Sequence, residues 1–114
     1  SLGVISNMGA DLPDNLEQLG VLEIFTATVS SVEVGIAKPH PAVFEAALRK
    51  VGVQASESLH VGDGYESDVL GATAAGLLAV YLQRDTEGAA PAEHAVVRSL
   101  SEVPAYVHGL NART

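Results

Sequence analysis

Three short apolar runs stop abruptly at polar or glycine-bearing loops: LGVIS (Leu2–Ser6), FTATVSS (Phe25–Ser31) and SLHVG (Ser58–Gly62). A fourth, LLAVYL (Leu77–Leu82), follows. Runs of this length bounded by turn signals read as strands. The chain between them is long enough for helices rather than hairpins. That alternation admits few folds. Strands joined by helical crossovers pair in parallel, with right-handed connections and helices on both faces of the sheet.

The intervening segments carry helix punctuation. A helix is predicted over about Leu12–Leu19, with Asp11 as N-cap, Pro13 in its first turn and Gly20 at its end. Val43, Phe44, Ala47, Leu48 and Val51 recur at helical spacing, between Pro41 in a first turn and Gly52 as the stop. Glu66–Ala75 reads as a third helix, ended by Gly76. RDTEGAAPAEH is a loop by its glycine, proline and charge content. AVVRS reads as a short fifth strand, and SEVPAYVHGL as a last helix with Ser101 as N-cap and Pro104 in its first turn. The order β-α-β-α-β-α-β-β-α makes residues 1–114 a single α/β unit.

Composition agrees and excludes several functions. Hydrophobic residues make up 47% of the chain but aromatics only 4%, with no tryptophan. The core must come from Val, Leu, Ile and Ala, which suits helices layered on a parallel sheet. Six basic residues against fourteen acidic ones, net charge −8, leave no basic stripe for nucleic acid. Without cysteine there is neither a disulfide framework nor a thiolate metal site. No apolar run approaches the roughly 18 residues of a membrane span. With no signal-peptide pattern at the start, a soluble, cytoplasmic protein is expected.

In parallel sheets, ligands gather at the carboxyl ends of the strands. Ser6 ends the first strand, Lys38 lies in the loop beyond the second, and Asp63 ends the third, so all three belong on one rim. Asp63 and Asp68, in HVGDGYESDVLGA, are carboxylates of the kind Mg²⁺ takes, one or two at a time beside several waters. Each also has a plainer reading, Asp63 as a turn residue and Asp68 as a cap. Lys38, framed by KPHP, offers an ammonium that could steady those carboxylates and grip a phosphate oxygen. Ser6 and Asn7 offer a hydroxyl and an amide to a phosphoryl group, or serve a turn. His60 lies inside a strand pattern and reads as packed or hydrogen-bonded. His40, between two prolines on the rim, carries only weak support as a substrate contact, and His94 and His108 fall in a loop and a helix. No zinc, P-loop, dinucleotide or serine-hydrolase motif is present.

LGVISN, GIAKPHPAVFEAAL and HVGDGYESDVLGA, in that order and each at a strand end, closely resemble three of the four motifs of the haloacid dehalogenase-like (HAD) hydrolase superfamily. The resemblance spans Leu2 to about Leu82. It implies a Rossmann-like core and a role for each matching residue. Ser6, with Asn7 beside it, would bind the transferred phosphoryl group. Lys38 would stabilise the nucleophile and the phosphoryl oxygens. Asp63 would be the acidic Mg²⁺ ligand, and Asp68 the second acid, supporting the metal shell or Lys38. The form GDxxxSD is similar to that of the phosphatases, whose metal draws an anionic substrate toward a carboxylate nucleophile. It differs from that of the dehalogenases, which work without the metal.

The family's first motif, DxDx[TV], is missing. Its first aspartate forms an aspartyl-phosphate and its second serves as general acid and base. DLPD (Asp11–Asp14) has the wrong spacing and no preceding strand. Nor is a cap domain expected within these 114 residues. Opening directly on SLGVIS, the sequence reads as a chain that starts in mid-domain. The strand that carries the first motif lies, in this family, between the strands read here as Leu2–Ser6 and Ser58–Gly62. Those two should therefore not be ordinary neighbours, and the lone chain should either collapse those edges together, recruit a second polypeptide or protomer that completes the sheet, or aggregate.

The expected function is thus the C-terminal portion of a Mg²⁺-dependent HAD-like phosphatase. Its substrate would be a phosphorylated small molecule and its nucleophile would lie outside this chain, so the chain alone should be inactive. The alternative is a degenerate HAD-like domain retained for binding or oligomerisation. A haloacid dehalogenase is a lesser alternative, and a phospho-receiver domain fits the residue order poorly.

Overall fold

The computed structural model describes residues 1–7, 12–84 and 95–112. The expected cap Asp11, the loop at 85–94 and His94 within it lie outside the described residues. Strand β1 (Gly3–Ser6) is followed by helix α1 (Leu12–Gln18), β2 (Ala27–Ser30), a one-turn helix α2 (Ser31–Val34) and α3 (Pro41–Val51). Strand β3 (Leu59–Gly62) leads into a π-wound segment, Tyr65–Leu70, continuous with α4 (Gly71–Ala74). Strands β4 (Leu78–Leu82) and β5 (Ala95–Val97) precede α5 (Val103–Ala112).

Among the described residues all pairing is parallel. β1 pairs with β2 from Gly3 opposite Ala27 to Ser6 opposite Ser30. A second sheet has the order β3-β4-β5. Among the described residues no ladder joins the two sheets, so β1 and β3 are not neighbours, as the missing-strand reading requires.

Side chains hold the two sheets together instead. Val29 of β2, Val43 and Phe44 of α3, Val69 and Ala72 of the helical segment after β3, and Ala79 of β4 form one buried cluster. Each fully buried Val or Phe contributes about 1.5–3 kcal/mol of apolar transfer. Gly71 permits the close approach of α3 and α4: a Cβ there would lie 3.0 Å from Phe44 and Pro39. On the other face, Val80, Leu82 and Val97 pack with Leu59, Val61, Val103 and Tyr106. The strand alternation of β3 thus sends Leu59 and Val61 toward α5, and His60 and Gly62 toward α3 and the helix after β3.

The structure corrects the sequence reading at several boundaries. The second strand ends at Ser30, because Ser30 caps α2: its hydroxyl accepts from Glu33 N (3.3 Å) and Glu33 accepts from Ser30 N (3.0 Å). The Ser-x-x-Glu signal of this capping box was present in the sequence. The third helix begins at Tyr65 rather than Glu66. Ser99, not Ser101, caps the C-terminal helical segment. Its hydroxyl accepts from Ser101 N (3.2 Å), and Glu102 reaches back to Ser99 N (2.9 Å), so the chain turns two residues earlier than expected.

Candidate active site

Lys38 is positioned by its backbone before its side chain. The loop from Gly35, which ends α2 at φ 87°, to the cap of α3 crosses the carboxyl end of β1. There the side-chain amide of Asn7 pairs with both backbone groups of Lys38. Asn7 Oδ1 accepts from Lys38 N (2.9 Å) and Asn7 Nδ2 donates to Lys38 O (3.4 Å). The Lys38–Pro39 peptide bond is cis. His40, the weak substrate candidate, caps α3, with Nδ1 accepting from Ala42 N at 3.1 Å.

The Lys38 ammonium then spans the gap between the sheets. It donates to Ile5 O of β1 at 3.4 Å and to Asp68 Oδ1 at 2.6 Å. Both side chains are largely buried, 11% exposed for Lys38 and 7% for Asp68. Asp68 has two further donors. His60 Nε2 reaches the same Oδ1 at 2.9 Å, and Gly64 N reaches Oδ2 at 3.0 Å. Burial pushes the Asp68 carboxyl up, but the hydrogen bonds from His60, Lys38 and Gly64 and the Lys38 charge outweigh it. They hold Asp68 well below the usual carboxylate range. Because Asp68 is ionised, it can only accept, so His60 carries its proton on Nε2.

Gly62 makes room for this carboxylate. Any Cβ at residue 62 would collide with Asp68 Cβ, Cγ and Oδ2. The glycine beside Asp63 is therefore a matter of space for Asp68 as well as of turning the chain.

Asp63 stands apart from this cluster. It follows the last residue of β3, its carboxylate is 72% exposed, and Arg84 lies 3.9 Å away, itself 62% exposed. An exposed pair at that distance contributes little. Among the described residues, no three His, Cys, Asp or Glu side chains gather as a metal cage. Mg²⁺ does not need one, since it takes one or two protein carboxylates and keeps its waters. The Asp63 carboxylate fits that requirement. Asp68 fits it less freely, because its Oδ1 already accepts two hydrogen bonds and its Oδ2 one. Ser6 closes β1 one residue from both Ile5 and Asn7.

Lys38, Asp68 and Asn7, named from sequence, are thus brought into one bonded network, with Ser6 adjacent and Asp63 on the rim beyond. His60 was read only as packed or hydrogen-bonded, and it is a member of the network. The signal that could have found it is the period of two in SLHVG. His60 shares a strand face with Gly62, the residue over which Asp68 must fold.

The haloacid dehalogenase-like hydrolase model matches residues 2–76. The chain belongs to the haloacid dehalogenase-like hydrolases. It is similar to haloacid dehalogenase-like hydrolase domain-containing protein 3 of Danio rerio, 39% identical over 107 residues, covering 90% of this chain and 44% of the relative. It is also similar to a glyceraldehyde 3-phosphate phosphatase of Methanothermobacter thermautotrophicus, 41% identical over 86 residues, covering 74% of this chain and 38% of the relative. Among solved structures, a HAD phosphatase from Thermococcus onnurineus superposes with a TM-score of 0.86 at 28% identity, over 96% of this chain and 51% of that one. The chain spans less than half the length of these two curated relatives. The α/β core of this HAD-like chain is therefore the family's Rossmann-like fold; Ser6 and Asp63 stand at strand ends, where that fold collects ligands, and the loop between α2 and α3 brings Lys38 to the end of β1. Among the described residues no helix is long and apolar enough to cross a membrane.

Proposed function

We propose that this chain is the C-terminal portion of a cytoplasmic, Mg²⁺-dependent HAD-like phosphatase that hydrolyses a small phosphate monoester. The observation that carries the reading is the Lys38–Asp68 pair, 2.6 Å long and largely buried, with the exposed Asp63 just past the end of β3. A buried lysine already neutralised by one carboxylate keeps donor capacity for an anion. Among the described residues two of its three N–H groups engage Asp68 and Ile5 O, and the third can be offered to a phosphoryl oxygen. Asn7 likewise retains a second amide N–H beyond the one that reaches Lys38 O. Ser6 adds a hydroxyl at the end of the same strand. In this reading Ser6, Asn7 and Lys38 bind the phosphoryl group, and Asp63 with Asp68 organise Mg²⁺. The metal, when bound, would offset the negative charge of the phosphate as a carboxylate approaches it.

The nucleophile of this reading comes from a DxDx[TV] segment outside these 114 residues, on the same polypeptide, on a second polypeptide or on another protomer. Among the described residues β1 and β3 each keep one edge without a ladder, which supports such an insertion. The test is hydrolysis of p-nitrophenyl phosphate by the isolated chain and by the full product of its gene, each with Mg²⁺ or with EDTA. The isolated chain should be silent. The full product should turn over only with Mg²⁺ and lose activity on Asp63→Asn or Lys38→Ala. A gene product that lacks DxDx[TV] and is silent under every condition would overturn the phosphatase reading and favour the binding-module alternative.

A further inference from the structure

We propose that His60 is a positioning residue for Lys38, acting through Asp68. Three observations carry this. Asp68 Oδ1 accepts from two donors at once, Lys38 Nζ at 2.6 Å and His60 Nε2 at 2.9 Å. An sp² carboxylate oxygen has two lone-pair directions, so two donors on one oxygen define the rotation of the carboxylate. Gly64 N on Oδ2 then fixes its tilt. Without His60, the ammonium and the carboxylate could swing together on their flexible stems.

The imidazole is itself held. Its ring meets Phe44 edge-on, with centroids 5.1 Å apart and planes at 87°. Phe44 is wholly buried at the centre of the cluster that joins the two sheets. The chain of support runs from the core through Phe44, His60 and Asp68 to the ammonium. It places a rigid strand residue, rather than a loop residue, behind the group that meets the anion. His60 need not touch substrate for this, and its function does not depend on changing its charge.

The catalytic use of Lys38 rests on the phosphatase reading; the positioning itself does not, and the experiment separates them. Lysine ammonium signals of the ¹⁵N-labelled chain are recorded by NMR, with Lys38 assigned by its loss in Lys38→Met. The wild-type Lys38 signal should exchange slowly with water. In His60→Phe, which keeps a ring against Phe44 but removes the donor, its exchange should be about tenfold faster, the scale of one lost charge-assisted hydrogen bond. In His60→Gln, whose amide can donate to Asp68, slow exchange should return. Backbone amide exchange in β3 and α3 should match in all three proteins.

An unchanged Lys38 signal in His60→Phe overturns the proposal, as does a His60→Gln protein that folds but exchanges as fast as His60→Phe. If His60→Phe does not fold, His60→Gln decides alone: slow exchange supports the donor role and fast exchange overturns it. In the full gene product, the same His60→Phe change should lower kcat for p-nitrophenyl phosphate about tenfold with KM little altered. A wild-type product without Mg²⁺-dependent turnover would remove the phosphatase reading and leave the NMR result standing.

Discussion

Lys38 Nζ stands 2.6 Å from Asp68 Oδ1 and ties the loop between α2 and α3 to the helical segment that follows β3. No strand ladder crosses between those sheets among the described residues. The pair therefore spans the break in the fold, and the network that prepares an ammonium for an anion also joins its two halves.

Removing one member of that pair leaves the other charged and buried, which typically costs about 3–5 kcal/mol. Lys38→Met should lower the unfolding free energy in urea by about 3 kcal/mol, toward the low end because both side chains keep slight solvent access. Lys38→Met combined with Asp68→Leu should recover most of the loss. A single-variant cost below about 0.5 kcal/mol would mean that the pair behaves like an exposed one.

Asp68 also sets an acid limit. Its folded pKa lies below its unfolded value, so between the two the unfolded chain binds more protons and stability rises with pH. The contribution is complete above about pH 4 and is lost as pH falls through the folded value. Urea midpoints from about pH 6 to about pH 2, taken with a chelator present, should fall less steeply for Asp68→Asn than for wild type.

Gly62→Ala should act through the same carboxylate. The added methyl overlaps the Asp68 side chain, and overpacking of this kind costs about 1–3 kcal/mol. The effect should shrink but not vanish in an Asp68→Ala background, where Cγ and Oδ2 are gone and the Cβ remains. Additive costs in the double variant would place the strain in the backbone of residue 62 instead.

Asp63 should separate binding from folding. Its carboxylate is solvent-exposed, so Asp63→Asn should change stability by no more than about 0.5 kcal/mol. The same change should weaken Mg²⁺ binding, followed as amide shifts around Gly62 and Gly64 during a Mg²⁺ titration. A stability loss above about 1 kcal/mol would give Asp63 a structural role.

Ser30→Ala should cost about 1 kcal/mol through loss of the α2 cap. Glu33, whose carboxylate Lys50 holds at 2.7 Å, keeps the other half of the capping box.

Local order in the chain was enough for its architecture. Apolar runs at strand length, Pro41 and Gly52 bracketing α3, and three motifs at strand ends point to parallel strands, a HAD-like core and a rim bearing Ser6, Lys38, Asp63 and Asp68. Those signals are legible because backbone propensity and hydrophobic period act over a few neighbouring residues. The capping box of the short helix α2 is equally local, four consecutive residues from Ser30 to Glu33.

The partners of Asn7 and Lys38 were decided only when distant segments met. Asn7 lies 31 positions from the Lys38 backbone groups it pairs with, and Lys38 lies 30 from Asp68. Asp63 and Asp68 look alike as neighbours in one loop, yet one faces solvent while the other is enclosed by three donors. His60 has no motif of its own. It joins the site because strand alternation turns it toward Phe44 and Asp68, and because burial then makes each of those polar groups require a partner.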